Sequence, residues 1–207
     1  MNYDIDFGEF NISSNHKKNI LDFIDELVRL YSLQNNYFKL EFKKMLAFGT
    51  CFPAFNLKNR KARITINKDL LDENLFVELK GCLAHEFAHF YHYMNFSNTD
   101  FFKFAYRIGG FVYARIFSKG KLIIFKKYNQ AYEQITDLTA CNFGYQKELT
   151  FLKKYIQVYR KNLSGGIIPD EKDYLSYDFL KHLKKKDIVH EAEQRKKLLG
   201  FRSLKYF

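Results

Sequence analysis

Tryptophan is missing from this 207-residue chain, proline occurs only twice and cysteine three times. Cys51, Cys82 and Cys141 are an odd number without metal-ligand spacing, so no disulfide framework is encoded. With no disulfides to maintain, a reducing, cytoplasmic setting is expected. Long apolar runs are also absent. No stretch reaches the roughly 18 residues that a membrane-spanning helix needs. The amino terminus, Met1 to Asp6, has neither the basic start nor the apolar run of a secretory signal. Acidic residues are the scarcer charge, 23 against 34 Lys and Arg, which leaves a net +11. The lysines are nevertheless spread along the chain. Their densest cluster, Lys184-Lys185-Lys186, lies among helical residues near the carboxyl end. No nucleic-acid-binding signature accompanies them. A solvated basic face is the expected reading, and nucleic acid is not an expected partner.

The chain does carry abundant material for a core. It is 47% hydrophobic and 28% charged, with 23 Phe and 15 Tyr, so it reads as globular rather than disordered. Its length suits one domain with a small appendage. Residues 16 to 33 place Ile20, Phe23, Ile24, Leu27, Leu30 and Tyr31 on one stripe of a helix, with Ser13, Ser14 and Asn15 available as caps. Residues 37 to 43 alternate as a strand does, and Arg63 to Asn67 read as a second short strand. Gly49 to Pro53 reads as a loop between them. A helix is expected from Asp72 or Glu73 to Asn95, and another from Thr99 to about Phe117. A strand-like piece follows at Leu122 to Phe125, then a long helix from about Asn129 to Asn162. Gly165, Gly166 and Pro169 form the clearest linker. They divide the chain into residues 1–164 and a helical extension, 165–207, with Tyr174, Leu175, Phe179, Leu183, Ile188 and Leu198 as candidate packing residues.

The most informative segment is His85-Glu86-Phe87-Ala88-His89. Residues four apart share one face of a helix, so two imidazoles at this spacing can grip a single zinc ion. The glutamate beside the first histidine is placed to act on a water at the metal rather than on the metal itself. A catalytic zinc generally has three protein ligands and an open fourth position. His92 is an unsuitable third: it lies two turns beyond His85, about 10.5 Å of rise, and suits a surface, lid or ligand-supporting role. Glu133 and Asp137 are better placed, being acids one turn apart on a predicted helix. One carboxylate of such a pair can bind zinc while the other orients a ligand histidine through its free ring nitrogen. Without the first motif the two would read as ordinary exposed acids.

The segment Gly81-Cys82-Leu83-Ala84-His85-Glu86-Phe87-Ala88-His89, followed by Glu133-Gln134-Ile135-Thr136-Asp137, resembles the gluzincin metallopeptidases. The likeness is to the HtpX-like branch and its small relatives, the minigluzincins, whose helices read G-x-L-A-H-E-x-x-H and E-x-x-A-D. It covers roughly residues 61 to 145. The resemblance implies an α+β, zincin-like fold, with a small twisted sheet packed on the active-site helix and further helices after it. It implies His85, His89 and Glu133 as zinc ligands, Glu86 as general base and Asp137 as support for a ligand. Two departures are Thr136, where the family usually has alanine, and the loss of the membrane-spanning helices of HtpX itself.

The expected function is zinc-dependent endopeptidase activity on a peptide or protein substrate, by a zinc-activated water with Glu86 as base. If residues 63–67 formed the sheet edge above the metal, they could pair with an extended substrate. His182, His190 and Tyr177 are candidate oxyanion donors. The segment 99–127 mixes Phe101, Phe102, Phe104 and Phe111 with Lys103, Arg107 and Arg115. It is a candidate for peripheral membrane contact, although a core helix with snorkelling basic ends is the favoured reading. The extension after Gly166 could fold over the cleft and make the enzyme latent. Two other readings compete: a zincin-fold regulatory protein with little turnover, which the intact Glu86 opposes, and a protease of nucleic-acid-bound proteins, supported only by net charge.

Overall fold

The computed structural model describes residues 3–45, 47–54, 61–101, 103–104, 122–162 and 174–200. They form a mixed α+β structure with a four-stranded sheet and a larger helical part. The strands are β1 (Tyr3–Asp6), β2 (Tyr37–Lys43), β3 (Gly49–Ala54) and β4 (Lys61–Asn67), in the order β1-β2-β4-β3. β2 is parallel to both of its neighbours, whereas β3 runs antiparallel to β4. Two sequence expectations fail here. Gly49 to Pro53 is a strand rather than a loop, and β4, which contains residues 63–67, is interior rather than the edge. Pro53 misleads in a physically sensible way, because a strand at the sheet edge tolerates a residue without an N–H.

Helix α1 (Ser14–Leu30) begins where the Ser13 side chain accepts from the His16 N–H. It buries Ile20, Phe23, Ile24, Leu27 and Val28, the stripe that its periodicity marks out. Helix α2 (Phe76–Asn95) follows two short 3-10 turns, Lys68–Leu71 and Glu73–Leu75, so it starts slightly later than the sequence suggests. It is buried on nearly every side from Leu79 to Tyr93, which makes it the central rod of the molecule. The sheet lies against it: the Phe38 ring of β2 meets Phe87 edge-on at 5.1 Å and Phe90 at 5.6 Å. Residues 98–104 begin the next helix where they are described, and most of the segment 99–127 lies outside the described residues.

Helix α3 spans Leu122–Ala140, so Leu122 to Phe125 is helical and not a strand. A short aliphatic run looks the same in either state until its length is known. The expected long helix is also broken. A π-type turn at Cys141–Tyr145, with Gly144 at φ 104°, separates α3 from α4 (Gln146–Asn162). Glycine adopts that left-handed conformation without the penalty a side chain would bring. The Gly165–Pro169 linker lies outside the described residues. Beyond it come α5 (Tyr177–His182), a 3-10 turn at Lys185–Asp187 and α6 (Ile188–Leu199). Leu175 and Ile188 are buried, while Phe179 and Leu183 pack at the margin of the core. Leu198 points outward and Leu199 takes the inward place. No helix among the described residues is long and apolar enough to cross a membrane.

Candidate metal centre

Two helices build the site. α2 contributes His85, Glu86 and His89, while α3 contributes Glu133 and, one turn further on, Thr136 and Asp137. The Nε2 atoms of His85 and His89 each lie 3.2 Å from Glu133 Oε2. The three candidate ligand atoms fall within 4.8 Å of one another, close enough to hold one metal ion. The imidazole planes are almost perpendicular, at 88°, so their lone pairs converge from different directions.

The far nitrogens are held separately. His85 Nδ1 lies 2.8 Å from Asp137 Oδ1, and with that nitrogen donating to the carboxylate, Nε2 keeps its lone pair for a ligand role. His89 Nδ1 lies 3.2 Å from the Thr136 hydroxyl, which itself donates to the Tyr132 carbonyl at 2.9 Å. The hydroxyl has only one proton, so it accepts from His89. Both histidines therefore present Nε2 towards Glu133. Two imidazole nitrogens and one carboxylate oxygen suit zinc better than a hard cation.

Asp137 also meets a cation that sequence reasoning missed. Lys153 of α4, almost fully buried, brings Nζ to 3.1 Å from Asp137 Oδ1 and to 4.1 Å from the centre of the Tyr174 ring. The other Asp137 oxygen accepts from the Leu175 N–H at 3.0 Å. Tyr174 in turn lies 5.7 Å from the His85 ring. A cavity of about 40 Å³ beside Glu86 and His85 is lined by Phe48, Gly49, Lys153 and Tyr174 among others. Neither residue stands in a motif, so only the fold reveals them. By contrast, Tyr177 lines a neighbouring cleft with Lys153 and Tyr174, and His190 pairs with Gln194 on an exposed face. Neither they nor His182 is among the residues lining the cavity beside Glu86.

Burial and charge set the electrostatics. Burial raises the Glu86 carboxyl above its usual range, against the pull of the two histidines. Burial alone would lower His85, but the charge and hydrogen bond of Asp137, with help from Glu133, carry it up to about 10. Glu133 is likewise opposed by burial, yet His89 and His85 hold it well below the ordinary carboxylate range. Asp137 is lowered despite its burial, by Lys153 first and then His85. His92 is fully buried rather than at the surface. Its Nε2 pairs with the Thr139 hydroxyl at 3.0 Å, and desolvation pushes it far towards the neutral form.

Glu86 Oε2 is buried and has no hydrogen-bond partner among the described residues. A buried carboxylate oxygen without a donor is costly, and a water beside an ion held by His85, His89 and Glu133 would supply one. The donor set and the orphaned oxygen both fit zinc.

Residues 20–110 match the SprT-like family. The SprT-like domain is of a zincin-like, metallopeptidase type. The SprT-like match runs from within α1 through β4 and the whole of α2, so it includes His85, Glu86 and His89. It ends before Glu133 and Asp137, which geometry alone brings to the site. Nothing in the SprT-like match is specific to gluzincins or to the HtpX-like branch. Comparisons with curated proteins and with solved structures find no match.

Proposed function

We propose that this chain is a zinc-dependent metalloendopeptidase of the gluzincin type, with His85, His89 and Glu133 as the metal ligands and Glu86 as the general base. The observation that carries the reading is the convergence of those three ligand atoms beside a buried, partnerless carboxylate oxygen. Zinc held there would act as a Lewis acid and lower the pKa of a water to about 7. Glu86 takes a proton at Oε2 and returns it to the leaving amine, a double role favoured by a carboxyl that burial raises above its ordinary range. Asp137 keeps His85 in the tautomer that offers Nε2, and Glu133 on the next helix fixes the spacing of the pair. The gluzincin assignment rests on Glu133 as third ligand with Asp137 one turn further along α3.

With β4 interior, the edge strand available for pairing with an extended substrate is β3. Gly49 of β3 lies so close to Glu86 that a Cβ there would come within 2.5 Å of Oε1. An extended peptide paired along β3 would thus pass next to the base. Tyr174 and Leu175, from the extension proposed as residues 165–207, sit against the same site. That contact favours a second reading, a chain that holds metal but turns over little until the extension moves.

Zinc content per chain, measured for wild type, Glu133→Ala and Glu86→Gln, tests the proposal together with hydrolysis of an unstructured protein substrate. About one zinc in wild type and Glu86→Gln, loss of metal in Glu133→Ala, and hydrolysis only by wild type are expected. Equal hydrolysis by wild type and Glu86→Gln would overturn the mechanism. Metal without hydrolysis in wild type would favour the second reading.

A further inference from the structure

We infer that Thr136 is the positioning residue for His89, doing with a neutral hydroxyl what Asp137 does for His85 with a charge. The inference rests on the metal-site reading above and adds to it a role that neither motif assigns. Its basis is the direction of three hydrogen-bonding groups. The Thr136 Oγ1 proton is committed to the Tyr132 carbonyl at 2.9 Å, one helical turn back. The oxygen can then only accept from His89 Nδ1, 3.2 Å away, so His89 carries its proton on Nδ1 and leaves Nε2 free to bind.

The environment makes the bond matter. Thr136 is wholly buried and His89 nearly so, with the Tyr132 ring at 5.1 Å and the Tyr93 ring stacked at 6.3 Å. Water cannot easily replace the hydroxyl in such a setting, so a side chain without one would leave Nδ1–H unsatisfied or let the ring turn over. The branched side chain contributes as well. Threonine on a helix has few rotamers, and the back-bond to Tyr132 selects the one that aims Oγ1 at His89. The two ligand histidines thus differ by design. His85 is held by a carboxylate already matched to Lys153, and His89 by a group with no charge, so a fourth acid is not added to a site that contains Glu86, Glu133 and Asp137.

The test is metal affinity, measured by competition with a chromophoric chelator for full-length wild type, Thr136→Val, Thr136→Ser and Thr136→Ala. Valine keeps the volume and removes the hydroxyl. Loss of such a ligand-supporting bond is expected to weaken zinc binding about 10–100-fold, and serine is expected to restore it. The cobalt-substituted proteins should show the same split, with a changed ligand-field spectrum for valine and alanine and the wild-type spectrum for serine. Melting of the metal-free chains separates this from simple packing, which would lower stability in valine or alanine without moving affinity. If valine and alanine bind zinc as wild type does, or if serine binds as weakly as valine, the positioning role is overturned while the peptidase reading stands. If wild type itself binds no zinc, both fall.

Discussion

Asp137 has no exposure, yet three groups reach its two oxygens: His85 Nδ1, Lys153 Nζ and the Leu175 N–H. A carboxylate in such a place survives only because both of its oxygens have hydrogen-bond donors and a cation is at hand. Lys153 is therefore expected to matter more than its position outside any motif suggests. Removing one partner of a buried ion pair leaves the other uncompensated, at a cost of about 3–5 kcal/mol. His85 still contacts Asp137, so Lys153→Met should lie near the lower end, about 3 kcal/mol, in urea unfolding of the metal-free chain. The same variant should leave Glu133 and the two Nε2 atoms in place and so retain zinc. A change in stability too small to resolve would mean that Asp137 is solvated by a route other than Lys153.

At the scale of elements, the site depends on how closely α2 can approach α3 and α4. Gly81 sits where α2 meets the start of α4. A Cβ there would fall 2.5 Å from the Glu148 carbonyl oxygen and 2.7 Å from its carbon, backbone atoms that cannot swing aside. Gly81→Ala should therefore force the helices apart and destabilise the fold by about 1–3 kcal/mol, although alanine is intrinsically the better helix residue. Increased stability on thermal melting would refute the close-packing account. Gly81 stands in the motif pattern four residues before His85, and its role there is packing rather than chemistry.

Much of this scale is legible in the sequence. The stripe of α1, the alternation of β2 and the two helical acids all have a periodicity that a local pattern displays. The exceptions share a cause. β3 contains glycine and proline because an edge strand tolerates them, so its composition imitates a loop. Leu122 to Phe125 is too short to distinguish helix from strand alone, and the break at Gly144 depends on a left-handed residue within an otherwise helical pattern. Lys153 and Tyr174 are illegible for another reason. Lys153 reaches Asp137 from 16 residues further along the chain and Tyr174 meets Lys153 from 21 beyond that, and nothing local to either one indicates a partner at that distance.

For the molecule as a whole, the central question is how three carboxylates and one fixed cation coexist in its interior. Glu86, Glu133 and Asp137 exceed Lys153 by two negative charges, and His92 contributes none because desolvation holds it neutral. A divalent ion would close that gap, and without one protons must do so. His85 is the first to take one, since its folded value of about 10 lies well above its ordinary 6.5. A group raised in this way stabilises the folded chain fully below its unfolded pKa and loses that contribution as pH rises through the folded one. The metal-free chain should thus lose melting temperature between about pH 6.5 and pH 10. Glu133 and Asp137 act in the opposite sense, because their folded values are depressed. Their contribution is present above the ordinary carboxylate range and lost as pH falls below it. Zinc should remove the alkaline slope, because His85 then offers its lone pair to the ion instead of carrying a second proton. At a free zinc concentration of 100 times Kd, binding should add about 2.7 kcal/mol of stability. Melting curves of chelator-treated and zinc-loaded protein from pH 6 to 10 should therefore diverge as pH rises. Parallel curves would show that His85 is not the group whose proton the metal replaces.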